Sequence, residues 1–103
     1  MAAIAMAMTA TSELDDYVFA TLMRDLVGHD RRPAAFLVYL ALAAEARSGR
    51  RAWSHGQLAE YTGLAKRTVQ EGLRHLARRG LVDIHRSAVT DAAMIEVLRP
   101  WRR

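Results

Sequence analysis

Ser54-His55-Gly56-Gln57-Leu58-Ala59-Glu60-Tyr61-Thr62-Gly63-Leu64-Ala65-Lys66-Arg67-Thr68-Val69-Gln70-Glu71-Gly72-Leu73-Arg74-His75-Leu76-Ala77-Arg78-Arg79-Gly80 is the stretch on which the fold turns. Ser54 followed three residues later by Gln57 matches a capping box, so a helix begins at His55 with Leu58 and Ala59 on its inner face, and Gly63 ends it. A second helix opens at Lys66. Its apolar Val69, Leu73, Leu76 and Ala77 recur at i, i+4, i+7 and i+8, and Gly80 closes it. Two short helices joined by a tight glycine-bearing turn, with small Ala59 allowing close approach, predict a helix-turn-helix over about residues 54–80.

Downstream, residues 81–86 and 94–99 have strand-like content around a seven-residue connection, residues 87–93, which reads as a hairpin. Its tip carries no Lys or Arg and one acid, Asp91, which argues against insertion of the tip into a minor groove and leaves contacts to His85 and Arg86. Pro100 ends the second strand. Trp101-Arg102-Arg103 then forms a short basic tail, read as solvated in preference to phosphate-binding.

Upstream, residues 34–44 are unbroken apolar sequence, opened by Pro33 in a first turn and with Asp30 available as cap. Eleven residues fall well short of the roughly 20 needed to span a bilayer, so the segment reads as a helix buried on most sides. Gly49 ends it, and residues 50–53 form a basic connector with the content of an edge strand. Before it, Ser12 and Asp15 mark a helix start, and Leu14, Tyr17, Val18, Leu22 and Leu26 recur at helical spacing up to Gly28. A short strand at residues 17–19 competes, since aromatic and β-branched neighbours also suit a sheet edge. Residues 1–11, rich in Ala and Met, read as a disordered leader, and residues 12–103 as one domain, mainly α with a small β-hairpin.

The pattern Gln57-Leu58-Ala59-x-x-x-Gly63-Leu64-Ala65-x-x-Thr68-Val69-x-x-x-Leu73 resembles the helix-turn-helix signature of bacterial regulators. The continuation Leu76-x-x-x-Gly80-Leu81-Val82 is similar to winged members such as the MarR and GntR types, as are Tyr39-Leu40-Ala41-Leu42 and the lead-in Trp53-Ser54. The resemblance covers about residues 30–86. It implies a winged helix-turn-helix with an extra N-terminal helix, a wing over about residues 81–99, and a recognition helix at 66–79 placed in the major groove. Two residues depart from that pattern. Ala65 stands where the family commonly has a capping Ser, a loss of about 1 kcal/mol. Gly72 lies inside the recognition helix, where it costs up to about 1 kcal/mol against Ala; either a neighbouring backbone comes close there or the helix is marginal.

Charge agrees with a polyanionic partner. The 103-residue chain has net charge +4 and pI ≈ 10.3. Residues 1–30 carry one Arg against five acids, a balance of −4, whereas residues 31–103 carry fourteen Lys or Arg against six acids, a balance of +8. Absence of cysteine excludes disulfides, thiolate metal sites and cysteine nucleophiles. His29, His55, His75 and His85 show no metal-ligand spacing, and neither a Ser-His-Asp elbow nor a phosphate-cradling glycine loop is present, so neither enzymatic activity nor a catalytic residue, metal or cofactor is expected. A signal peptide is not expected either, because residues 1–10 lack a basic start and acids follow at once; a cytoplasmic location is the simplest reading.

At about 100° per residue, Arg67, Glu71, Arg74 and Arg78 cluster opposite the Val69-Leu73-Leu76 stripe, flanked by Gln70 and His75. Docking of such a helix by its N-terminal part nominates Lys66, Arg67, Thr68, Gln70 and Glu71 for base edges. Arg67 suits guanine and Gln70 adenine, while Glu71 suits cytosine or orients Arg67. Arg74, Arg86, Ser54 and Gln57 suit phosphate or the groove flank. The same Arg67-Glu71 and Glu71-His75 spacings are also i,i+4 pairs that stabilise any exposed helix by a few tenths of a kcal/mol. The expected partner is double-stranded DNA, bound as a transcriptional repressor; the alternatives are a plasmid replication or partition factor and a winged helix used for protein contact. A homodimer through the N-terminal helix and the apolar helix is expected, because the helix-turn-helix covers only one side of residues 34–44. Neither a membrane nor a small-molecule effector is expected as a partner.

Overall fold

The computed structural model describes residues 16–86 and 92–101. The leader, the helix start at Ser12 and Leu14, the wing tip with Asp91, and Arg102 and Arg103 lie outside the described residues. The first described element is a helix, α1, made of two widened segments, Val18–Leu22 and Arg24–His29. Its bonds run i to i−5, as where Met23 N–H reaches the Val18 carbonyl and Asp30 N–H the Asp25 carbonyl. There follow α2 (Pro33–Ala46), β1 (Ala52–Trp53), α3 (His55–Thr62), α4 (Lys66–Arg78), β2 (Val82–Arg86) and β3 (Ala93–Val97). The three strands form an antiparallel sheet in the order β1-β3-β2. This is a winged helix-turn-helix with an extra N-terminal helix.

Residues 17–19 are helical, not a strand edge, because Val18, Leu22 and Leu26 each bury against the core one turn apart. Pro33 takes the first turn of α2, where its missing N–H is harmless. Asp30 does not cap that helix. Arg32 occupies the N-cap without a side-chain bond, and the Asp30 carboxylate turns instead toward α4. Between them Arg31 adopts a left-handed φ of 55°, an uncommon conformation for a side chain with a Cβ.

Helix α2 is apolar around its circumference and is buried accordingly, with Ala35, Phe36, Val38, Tyr39, Ala41, Leu42 and Ala43 all in the core. The chain therefore covers α2 far more completely than one helix-turn-helix face allows, since α1, α3, α4 and β3 all pack against it. Leu37, 46% exposed, is the large α2 side chain left outward. Leu58, Val69, Leu73, Leu76 and Leu81 converge with Trp53 and Tyr39 in the same core, with Leu64 partly buried against it. The Tyr39 hydroxyl, deep in that core, donates to the Leu98 carbonyl at 3.2 Å and so ties α2 to the end of the wing.

Gly72 is explained by packing. A Cβ built there would stand 3.3 Å from Ala35 Cα and 3.5 Å from Val38 Cγ2, so α2 and α4 cross backbone against backbone at this point. Helix α4 then stops in a Schellman turn: Leu81 N–H bonds to the Leu76 carbonyl at 2.9 Å and Gly80 N–H to the Ala77 carbonyl at 3.1 Å, with Gly80 at φ 71°. That turn delivers the chain into β2. The wing register pairs Val82 with Val97, Ile84 with Ile95 and Arg86 with Ala93, so β3 begins at Ala93 rather than at Met94 and the connection is one residue shorter than the sequence suggests.

Trp101 is not freely solvated; Arg102 and Arg103 of the same tail lie outside the described residues. Trp101 stacks on Tyr17 with ring centroids 4.4 Å apart and planes 16° from parallel, so the exit from the wing closes on α1.

Candidate nucleic-acid interface

Local chemistry sets the two helices that would face a duplex. Ser54 Oγ accepts from Gln57 N–H at 3.0 Å while Gln57 Oε1 accepts from Ser54 N–H at 2.9 Å, the reciprocal box that starts α3. At the other end Gly63, at φ 79°, passes the chain out of the helix. Thr62 holds the turn that follows: its hydroxyl donates to the Leu58 carbonyl at 2.7 Å and accepts from Leu64 N–H at 3.2 Å. Ala65 supplies no side-chain cap to α4, in line with its chemistry.

Helix α4 is sharply two-faced. Val69, Gly72, Leu73 and Leu76 are buried; Lys66, Arg67, Glu71, Arg74 and Arg78 are exposed, and Thr68 and Gln70 lie half-buried at the margins. Ala77 falls on the exposed side, because the buried stripe is narrower than its helical phase suggests. Arg67 Nε lies 3.3 Å from Glu71 Oε1, the i,i+4 pair expected of an exposed helix. Among the described residues, Lys66, Arg74 and Arg78 make no ion pair, so three cations on this face remain available to a polyanion.

The Glu71-His75 pair does not form. His75 Nε2 sits instead 2.7 Å from Asp30 Oδ2, and Arg79 Nε lies 3.1 Å from the same oxygen, so the C-terminal half of α4 is anchored to the end of α1. Hydrogen bonds from His29 and His75, with Arg79 nearby, hold the Asp30 carboxyl below the usual carboxylate range.

Between α4 and β2 lies an open cleft of about 660 Å³ that gathers Gln70, Arg74 and Arg86 over a floor of Leu73 and Ile84. It also holds His55, which sequence reading did not select. His55 bridges the two walls: its Nδ1 is 3.1 Å from the Gln70 carboxamide nitrogen, Nε2, and its own Nε2 is 3.0 Å from Arg86 Nη2. Partial burial, with the charges of Arg86 and Lys66, pushes the His55 pKa below the usual histidine value and favours the neutral ring. No spacing signal marks this residue, because its partners lie 15 and 31 positions away. Ser54 and Gln57 do not line the cleft; Gln57 borders a separate hollow with Arg50, Glu60 and Tyr61. Arg50 lies 3.5 Å over the Trp53 ring.

On the outer face of the wing, Asp83, His85 and Glu96 bring their ligand atoms within 4.8 Å of one another, all exposed, with His85 Nε2 3.0 Å from Asp83 Oδ2. The sequence hides this group because Glu96 joins across the sheet, opposite Asp83. Among the described residues no helix is long and apolar enough to cross a membrane.

Comparison with known proteins returns one assignment. No curated protein and no solved structure matches the chain. Residues 31–98 match the family model of the Crp-like helix-turn-helix domain, which spans α2 through the end of the wing. That assignment supports a DNA-binding domain of a kind that is typically non-enzymatic, and it is the Crp-like family rather than the MarR or GntR type that is matched. With two thirds of its length inside the matched region, this chain belongs to the Crp-like helix-turn-helix domain family.

Proposed function

We propose that the protein binds specific sequences in double-stranded DNA as a transcriptional repressor, with the recognition helix, residues 66–79, in the major groove. The observation that carries this reading is the outward face of α4, where Lys66, Arg74 and Arg78 stand exposed without ion-pair partners among the described residues and Arg86 flanks them across the cleft. Lys66, Arg67, Thr68, Gln70 and Glu71 address base edges; Arg74 and Arg86 address phosphate. Ser54 and Gln57 add a phosphate contact at the start of α3, since the capping box leaves the Ser54 O–H and the Gln57 carboxamide nitrogen free to donate. The likeness of the α4 exit to MarR and GntR types supports a regulator. Residues 12–103 form one domain, which acts in the cytoplasm without cofactor or small-molecule effector.

The working unit is a homodimer. Phe19, 41% exposed, together with Leu37, Leu40, Ala41 and Tyr61, borders an apolar groove of about 290 Å³ on the α1–α2 side, away from the α4 cleft. Closing this groove with a second copy keeps both recognition helices free and reads two half-sites about 34 Å apart. The test is binding to random-sequence duplex at several salt concentrations, followed by selection of bound sequences. A steep loss of affinity with salt and an enriched motif support the proposal. Affinity that does not respond to salt refutes it and favours use of the winged helix for protein contact.

A further inference from the structure

The His55 bridge carries a consequence for which base is read, resting on the DNA-binding role proposed above. A guanidinium has donors only, so the 3.0 Å contact with Arg86 requires His55 Nε2 to accept. A neutral imidazole has one donor and one acceptor; with Nε2 accepting, the proton sits on Nδ1. Nδ1–H then needs an acceptor at the 3.1 Å position on Gln70, where a carboxamide nitrogen has none to offer. The two arms of a carboxamide are nearly isosteric. A half-turn about its terminal bond puts Oε1 against Nδ1–H and sends the NH2 group away from the ring.

We propose that His55 is a positioning residue that sets the hydrogen-bonding group Gln70 offers to DNA: with Oε1 held by His55 Nδ1–H, Gln70 meets the base edge with its amide donors and selects acceptors. Guanine, with two acceptors on its major-groove edge, is the favoured partner. The bidentate pairing with adenine expected for a free glutamine requires the carboxamide to turn its oxygen and nitrogen together toward the base, and with the oxygen edge turned to the His55 ring it presents the nitrogen instead. Arg86 thereby acts on base choice through His55, from the wing, without reaching a base. The neutral ring on which this depends is the form that burial and the neighbouring cations favour.

Two measurements test the proposal separately from DNA binding as such. In the free, full-length protein at pH 8, imidazole nitrogen shifts should show His55 protonated on Nδ1 and bare on Nε2; a ring protonated on Nε2 overturns the proposal whether or not DNA is bound. Selection from a random-sequence duplex library is then run with the parent protein, Gln70→Ala, His55→Ala and Arg86→Ala. At the position that Gln70→Ala makes indifferent, the parent should enrich guanine. Both His55→Ala and Arg86→Ala should shift enrichment toward adenine, by about fivefold or more, the lower end of the range for one bidentate base contact. Adenine already enriched by the parent, or guanine retained in both variants, overturns it. If the parent enriches no motif, the DNA-binding reading fails, and the nitrogen shifts still decide the tautomer. Circular dichroism of each variant guards against loss of fold; because His55→Ala and Arg86→Ala break the same bridge from opposite ends, either folded variant suffices.

Discussion

His75 Nε2 lies 2.7 Å from Asp30 Oδ2, and this contact fastens the distal half of the recognition helix to the end of α1. The Asp30 side chain is only 8% exposed and also receives His29 and Arg79, so a single carboxylate joins the end of α1 to the end of α4 through three cationic or hydrogen-bonding side chains. Its folded pKa lies below the ordinary 3.8, so the stabilisation is fully present above that value and is lost as pH falls through the lower folded value. Asp30→Asn should destabilise the protein by about 1–3 kcal/mol at pH 7 and flatten the acid limb of the stability profile below pH 4. Urea midpoints measured across that range check it; superimposable profiles for the two proteins would refute the anchor.

At Gly72 two effects oppose each other. Alanine gains about 1 kcal/mol of helix propensity, but its Cβ would stand 3.3 Å from Ala35 Cα, which is backbone of a buried helix and yields poorly. Overpacking of this kind costs about 1–3 kcal/mol, so Gly72→Ala should be net destabilising by about 1 kcal/mol. A raised thermal midpoint would show that α2 can withdraw.

Leu73 is a buried residue of α4, 2% exposed, at the floor of the cleft between α4 and β2. Leu73→Ala should cost about 2–5 kcal/mol, comparable with the whole stability of a small domain. Chemical denaturation reads this directly. A midpoint that barely moves would remove Leu73 from the core.

Arg74 lines the cleft between α4 and β2 and has no ion pair among the described residues. Arg74→Ala should weaken binding to all duplex sequences alike and lower the salt slope by about 1, whereas Arg67→Ala should relax preference at one position by about 1–3 kcal/mol. Anisotropy titrations at fixed and varied salt distinguish the two. If both variants bind like the parent, α4 is not the docking face.

Leu37 is 46% exposed beside Phe19 and Tyr61 on the α1–α2 side. Leu37→Glu should shift sedimentation equilibrium at micromolar concentration from about twice 11.5 kDa to 11.5 kDa while leaving the helical signal intact. A parent mass of 11.5 kDa with no concentration dependence would refute the dimer.

The sequence by itself determined every element whose cause is local. Ser54 and Gln57 specify the start of α3, and Gly63 and Gly80, both at positive φ, specify two helix exits. The spacing of Val69, Leu73 and Leu76 specifies the buried stripe of α4, because helix period and caps depend on residues only a few positions apart. Only the tertiary structure decided where Asp30, His55, His75 and Trp101 point. Asp30 has the chemistry of a cap, yet it bonds across 45 residues to His75, where it meets a partly buried histidine and a guanidinium instead of water. His55 is unremarkable in a linear reading and becomes the link between recognition helix and wing only when Gln70 and Arg86 are folded against it. Local propensity fixes the direction of the backbone over a turn or two; the partner of a polar side chain is fixed by whatever the rest of the chain brings within about 3 Å, and no spacing along the sequence encodes that.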